Sequence, residues 1–486
     1  MILSLDIGTS SVRAALYDAE ATAIPRAAVK IERSLTATAD GGSEINADEA
    51  LAQVVQAIDA LLQKTHKLKD EFECVASCSF WHSLVGIDAD GKPTTKVFSW
   101  ADTRSGKYPE VLRKKFDETA THNRTGARFH SSFWPAKLLW LRKDFPEVFA
   151  RTETWLSFSD YVALKLFGKA VTSVSMASGT GIFDIRKCVW DKDLLRFLRV
   201  KAENLPTVAA ADADTFQLTT KFAKRWPRLS KAKWFPAYAD GATDNVGAGC
   251  VTGTKAALMI GTSGAMRVAY DGEPPENISD GLWCYRVDRK RVIIGGALSD
   301  GGGLYHWIKQ NLRLPLDADA QIATRSPGSH GLTFLPFLAG ERSTGYHESA
   351  TGSVLGLTSA TDAVDILHAA LESVAYRFAE ILDQLSSVIK IKEIVASGGA
   401  LRESPIWTQI IADVLGRDLL INDALESSSR GAVLLALESL GKIRNIKITN
   451  LSQTRIVISD GKRNESYRKS QKRHKLLYTR VVENRH

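Results

Sequence analysis

Hydrophobic residues alternate with small or polar ones from the start of the chain, through Leu3-Ser4-Leu5-Asp6-Ile7-Gly8. After a hydroxyl-rich turn, Thr9-Ser10-Ser11, the apolar residues resume as Val12-Arg13-Ala14-Ala15-Leu16-Tyr17. This pattern, broken by a short turn, predicts two antiparallel strands in a hairpin. The same pattern returns as Leu258-Met259-Ile260-Gly261-Thr262-Ser263-Gly264 and runs on to Tyr270-Asp271, so that Gly8 and Gly261 are 253 positions apart. Leu5, Ile7, Gly8, Thr9, Ser10, Tyr17 and Asp18 all recur at that offset, whereas Asp6 becomes Met259 and Arg13 becomes Met266. A second echo relates Glu73-Cys74-Val75-Ala76-Ser77 to Glu393-Ile394-Val395-Ala396-Ser397. Two echoes in the same order predict a duplicated fold with insertions between the shared parts.

Between these landmarks the period lengthens. Asn46 to Gln63 carries a cap residue, an acidic first turn and a helical apolar stripe. Helices are also expected from Pro135, over Trp155–Phe167, over Asp362–Ser386 and over Asp423–Leu440. A strand and turn are expected at Val85–Gly91, a strand from Val97 leading into a polar cluster, and a strand, glycine turn and helix at Val292–Trp307. Ala23–Ser43 is polar with strand-like fragments, and Gly328–Gly345 is loop-rich and holds Glu341-Arg342.

At 486 residues, two or three domains are expected. Composition is that of an ordinary soluble protein, with 44% hydrophobic and 24% charged residues. With the first strand at Ile2 and no apolar run of membrane-spanning length, a cytoplasmic protein is expected, without a membrane partner. Five scattered cysteines lack paired spacing, so buried free thiols are expected rather than disulfides or a zinc site. The net charge of +8 resides in the tail: Lys442–His486 holds 13 basic and 3 acidic residues, leaving 50 basic against 52 acidic elsewhere. Tyr467, His474, Leu477 and Val481 recur at helical spacing there, which favours a terminal helix with one packed face over a nucleic-acid-binding tail.

The candidate chemistry sits at the turns. Backbone N–H groups and hydroxyls of a tight turn converge on an anion, Arg13 stands close behind the first turn, and Asp6 beside it is placed to hold a metal ion. Two such turns, only one with a carboxylate, suggest one polyphosphate and its metal held between the copies. At the carboxyl end of the Glu73–Ser77 strand stand Trp81 and His82, suited to a polyhydroxy substrate; its downstream relative ends in Gly398 and Gly399, which let backbone approach something flat. Trp100-Ala101-Asp102-Thr103-Arg104 offers an aromatic platform beside an acceptor and a donor fork, or simply an ion pair at a strand end. In Asp240-Gly-Ala-Thr-Asp244-Asn245, two acids near a glycine-rich turn, just before an expected helix of small residues, suit a general base at a helix N-terminus. Either can equally be a cap; Asp244 is the stronger catalytic candidate.

With these pieces assembled, the chain resembles the FGGY carbohydrate kinases from Leu3 to about Gly441. The phrase Gly352-Ser-Val-Leu-Gly356-Leu357 followed by Asp365-Ile-Leu-His-Ala369-Ala-Leu-Glu372 fits the family's second signature, and Lys137-Leu-Leu-Trp140-Leu fits the core of the first. The resemblance implies an α/β, duplicated actin-like (ribonuclease-H-like) ATPase fold with two lobes around a central cleft. The expected divisions are an N-terminal lobe over 1–245, a nucleotide-side lobe over 246–441 and a basic extension over 442–486 ending in a helix. It implies ATP and Mg²⁺, with Asp6 near the metal and Asp244 both beside the metal and acting as the base. Gly8, Thr9, Ser10, Ser11 and Arg13 would form the first phosphate grip, and Gly261, Thr262 and Ser263 the second. Gly302 would belong to the nucleotide-side turn, Gly398, Gly399 and Ala400 to the adenosine motif, and Trp81, His82, Asp102, Arg104 and Asn245 would face the sugar.

Within the family, Phe80-Trp81-His82-Ser83-Leu84, Trp100–Arg104, Ser173–Thr180 and Phe334–Arg342 look most like gluconate kinases. The expected reaction is transfer of the γ-phosphate of ATP to a primary hydroxyl of an open-chain sugar acid, D-gluconate to 6-phosphogluconate. Arg104, Arg128, His130 and Lys137 are the candidate cations for its carboxylate. A ketose such as xylulose is the alternative, and a nucleotide-binding regulator without sugar kinase activity is the alternative of another class. Beyond the small-molecule acceptor, a homodimer is the partner allowed for.

Overall fold

A computed structural model describes residues 1–422, 426–448 and 455–484. The chain opens with the expected hairpin, β1 (Ile2–Ile7) and β2 (Ser11–Tyr17), followed by β3 (Ala23–Glu32). Next to them come β4 (Cys74–Ser79) and the short β5 (Lys233–Trp234) and β6 (Tyr238–Ala239). The order is β5-β4-β1-β2-β3, with β6 also on β4; β1 runs antiparallel to β2 and parallel to β4.

The second sheet repeats this plan. Its strands are β7 (Lys255–Ile260), β8 (Gly264–Asp271), β9 (Trp283–Arg286), β10 (Arg291–Leu298), β11 (Glu393–Ser397), β12 (Leu419–Ile421) and β13 (Arg455–Val457), in the order β9-β10-β8-β7-β11-β12-β13. Here too the hairpin pair is antiparallel and the strand on its other side, β11, is parallel. The segment β4-β1-β2-β3 thus has its counterpart in β11-β7-β8-β10, the duplication expected from the echoes. Both hairpins bury their strands and leave Ser10 and Thr262 exposed at their tips.

The helices form where caps and stripes coincide. In α1 (Ala47–Lys64), Asn46 accepts from Asp48 N and Glu49 N, and one apolar face packs on the first sheet. Helix α2 (Trp134–Asp144) carries Pro135 in its first turn. The helix expected over Trp155–Phe167 begins only at Phe158, because Ser157 and Asp160 form a capping box and Trp155 lies in a strand over Thr154–Leu156. Then come α3 (Asp240–Gly247), α4 (Gly302–Asn311) and the long α5 (Ala363–Val388). The expected helix start at Asp423 lies outside the described residues, and its described part is α6 (Ser427–Ser439). The basic tail ends in α7 (Gly461–Tyr478). Its packed face runs through Tyr467, Ser470, His474, Tyr478 and Val482.

Helix α6 ties the lobes together. Its stretch Ala432–Leu437 is buried in one apolar cluster with Ile2, Ala15 and Ala76 of the first sheet and with Ala242 and Val246 of α3. Where α3 and α6 cross, a Cβ on Gly431 would stand 1.8 Å from Thr243 O, and one on Gly247 would stand 1.9 Å from Ser427 O. Only glycine permits this approach.

Among the described residues, no helix is long and apolar enough to cross a membrane. All five cysteines are free; Cys188 is half-buried and the others are buried.

Candidate active site

A cavity of about 410 Å³ opens between the two sheets. From the first lobe it is lined by Asp6, Arg13, Trp81, His82, Trp100, Asp240 and Asp244, and from the second by Ser263, Arg267, Tyr285, Arg342 and Gly398, among others. Asp6 reaches it from the end of β1, and Trp81 and His82 from just beyond β4. Carboxyl ends of strands thus supply the site, as expected for an α/β sheet.

The position of the two acids differs from the sequence expectation. Asp240 and Asp244 lie within α3 rather than ahead of a helix, because Ala239 is its N-cap and Asp240 its first residue. Four residues apart, they share one helix face. Arg267 Nη2 donates to Asp244 Oδ2 at 2.7 Å, and both residues are buried. Burial pushes the Asp244 carboxyl up, against the pull of Arg267. Burial also raises Asp240, to about 7, with the neighbouring Asp6 adding to the shift and Arg267 opposing it. Asp6 is raised to about 6, again mainly by burial, with Arg13 opposing from 3.5 Å. Three carboxylates raised above their ordinary range thus line one cavity, although their oxygens do not gather within 4.8 Å of one another as a ready-made metal cluster would; carboxylate oxygens are the donors a hard divalent cation takes.

The nucleotide-side residues converge through backbone contacts. Gly302 N donates to Gly261 O at 2.8 Å, and Gly301 N and Gly303 N donate to Thr262 O. A Cβ at Gly302 would meet Gly261 O at 2.4 Å and the Ala400 Cβ at 2.9 Å. Gly398, at φ +116°, passes so close to Ile260 that a Cβ would stand 2.2 Å from its carbonyl oxygen, whereas Gly399 faces open space. The second turn, the start of α4 and the Gly398–Ala400 segment therefore pack together at a closeness only glycine allows, with Gly399 left facing open space. At the first turn, Gly8 N donates to Ser11 O at 2.9 Å, and Arg33 donates to the Gly8 carbonyl. Thr9 and Ser10 stay accessible, while Ser11 is buried.

The sugar-side expectations divide. Trp81 Nε1 donates to Ser175 O at 2.9 Å, and its ring meets Trp283 and Tyr285 of the other lobe edge-on. His82 is held at Gly179 O, and burial lowers its pKa to about 3, so it is neutral. Asp102 and Arg104 do not line the cavity: Asp102 is fully buried, and Arg104 pairs with it and with Glu44. Asn245 is also buried away from it, donating to Cys250 O and Arg267 O. Of the candidate carboxylate receptors, Arg104 is so paired, Arg128 is paired with Glu118, His130 faces Glu348, and Lys137 is bound to Ser131 O at 2.5 Å. Burial lowers Lys137 to about 8.

Besides Arg13, Arg267 and Arg402, the cation Arg342 lines the cavity. Its guanidinium lies 4.3 Å from the Trp100 ring centroid, its Nη2 donates to Leu298 O at 3.0 Å, and its buried Nε has no acceptor. Burial lowers it to about 10, where it remains charged at neutral pH. Sequence reasoning placed Arg342 in a loop and in a phrase resembling gluconate kinases without giving it a role, and passed over Arg267. The repeat held a signal for Arg267, since the 253-residue offset sets it against Ala14.

The fold and the cleft define a two-lobed sugar kinase of the actin-like, ribonuclease-H-like class. The chain belongs to the FGGY family of carbohydrate kinases: the family's N-terminal domain matches residues 1–230 and its C-terminal domain residues 256–440. It is therefore an ATP-using sugar phosphotransferase rather than a nucleotide-binding regulator. It is similar to a gluconokinase of Bacillus licheniformis, 27% identical with 92% of this chain and 89% of the relative covered. A xylulose kinase of Staphylococcus xylosus is 26% identical, with 90% of each chain covered. The crystal structure of a gluconate kinase from Lactobacillus acidophilus superposes with a TM-score of 0.90 at 26% identity, covering 99% of this chain and 98% of that one.

Proposed function

We propose that the protein is a gluconate kinase, transferring the γ-phosphate of ATP to the primary 6-hydroxyl of D-gluconate in its linear form. The observation that carries the acid over the neutral sugar is Arg342, a half-buried cation in the cavity wall with no carboxylate paired to it among the described residues. A partly desolvated charge without an anionic partner is costly, and a substrate carboxylate supplies the partner. The aromatic wall of Trp81, Trp283 and Tyr285 would stack against the carbon backbone of the sugar.

In this reading Asp244 accepts the hydroxyl proton as the oxygen attacks in line, and Arg267 keeps it ionised for that role. Gly8 to Ser11 with Arg13, and Gly261 to Ser263, grip the phosphates. Gly302 and Gly398 to Ala400 carry the adenosine. Asp6, with Asp240 and Asp244, would hold Mg²⁺, which neutralises charge on the phosphates when bound. Closure of the lobes would exclude water.

A neutral ketose is the second reading, favoured by the largely aromatic wall and by the similar xylulose kinase. The test is a coupled ATP-consumption screen over gluconate, xylulose, ribulose and glycerol, with the wild type and Arg342→Met. Gluconate as preferred acceptor, with KM raised about 10- to 100-fold in Arg342→Met and xylulose unaffected, is the expected outcome. Preference for xylulose, or an Arg342→Met enzyme with unchanged gluconate KM, would overturn the acid reading.

A further inference from the structure

Arg342 stands next in sequence to a carboxylate buried in the second lobe. Glu341 is 2% exposed, and its oxygens accept from three directions: Arg377 Nη2, Gly345 N at 3.1 Å, and the hydroxyl of Tyr478 at 2.7 and 3.0 Å. Arg377 lies with its guanidinium 4.7 Å from the Tyr478 ring centroid and also bonds Thr344 Oγ1 at 3.1 Å. The loop is held close to this knot, since a Cβ on Gly345 would come within 2.0 Å of the Tyr478 hydroxyl. Glu341 points into the core and Arg342 into the cavity, so whatever fixes the first sets where the second begins.

Tyr478 does not belong to the matched FGGY domains, which end at residue 440. It is the last residue of α7, in the basic extension, and its ring is buried with Leu335, Phe337, Ala350 and Val482. The tail's net positive charge is solvated on the far side of the helix; its buried side carries the tyrosine.

We propose that Tyr478 is a positioning residue for the substrate carboxylate: its hydroxyl anchors Glu341 and thereby holds Arg342 in the cavity wall. The C-terminal extension then acts as a strap behind the acceptor pocket, setting affinity for the acid without touching it. This rests on the reading of gluconate as the acceptor and of Arg342 as its receptor.

The variant Tyr478→Phe removes one oxygen and keeps the ring beside Arg377. Its steady-state kinetics are compared with those of the wild type for gluconate, xylulose and ATP. The expected result is a gluconate KM raised about tenfold, with kcat held within about twofold and the ATP KM unchanged. Wherever xylulose is turned over, its KM should not move. A gluconate KM equal to the wild type's, or gluconate and ATP KM values rising together, would overturn the proposal while leaving gluconate the substrate. A wild-type enzyme that turns over xylulose and not gluconate would instead remove the acceptor reading, and this inference with it.

Discussion

Arg267→Met isolates the part of the cleft that sets the charge of the base. The guanidinium donates to Asp244 at 2.7 Å, with side chains only 5% and 12% exposed, so solvent screens the contact little. Methionine keeps much of the aliphatic volume and removes the charge. A hydrogen bond between charged partners contributes about 1.5–3 kcal/mol, and one pH unit corresponds to about 1.4 kcal/mol. With Arg267 gone, burial acts on Asp244 unopposed, and the acid limb of kcat/KM should move up by about 1–2 pH units. The measurement is ADP release between pH 5.5 and 9, with whichever sugar the enzyme turns over. Asp244→Asn serves as the reference, losing about 10²- to 10⁴-fold at every pH. If Arg267→Met lowers the rate by one constant factor across the range and leaves the limb in place, Arg267 does not control the ionisation of Asp244 and the reasoning fails.

The raised carboxyls give the ligand-free protein a pH dependence of definite sign. Asp6 and Asp240 are held at about 6 and about 7, above the ordinary 3.8, so their contribution to stability is full below pH 4 and is lost as pH rises through 6 to 7. The melting temperature of metal-free, nucleotide-free protein should fall over that window and flatten in Asp240→Asn; a rise over it in the wild type would contradict the assignment. At the helix crossing, Gly431→Ala forces a Cβ to 1.8 Å from a backbone oxygen that cannot swing aside. It should destabilise by about 1–3 kcal/mol despite the better helix propensity of alanine, and a differential scanning measurement without a drop in Tm would show that α3 and α6 can separate freely.

The duplicated framework was legible because a hairpin is a local object. Its alternation and turn chemistry sit within sixteen residues, and its repetition 253 positions later needed no knowledge of the fold. The α1 cap and the Cys74–Ser79 strand were legible for the same reason. What could not be read was direction across the cleft. Trp100 and Asp102 are two residues apart, yet Trp100 lines the cavity while Asp102 turns away to hold Ser43 N and Arg104. Arg342 acquires its role only when a loop of the second lobe lays it against Trp100 of the first, a contact between residues 242 positions apart with no periodicity to announce it. The tail helix shows an intermediate case. Helical spacing identified Tyr467, His474, Leu477 and Val481 as facing inward; Leu477 and Val481 do pack there, half-buried, but the fully buried members of that end are Tyr478 and Val482, which the spacing did not single out. The start of α3 escaped sequence reasoning because Asp240 and Asp244 look like caps until the backbone is seen to coil from the first of them.

Helix α6 is made among the last elements of the protein, yet it completes the interior of the part made first. As the polypeptide leaves the ribosome, Ile2, Ala15, Ala76, Ala242 and Val246 await a cover that is not translated until residue 432. For most of synthesis the leading half therefore carries an open greasy floor, and a product truncated before that point keeps it for good. Expression as two separate halves would have to co-produce both pieces, since each on its own leaves open its share of the cluster under α6.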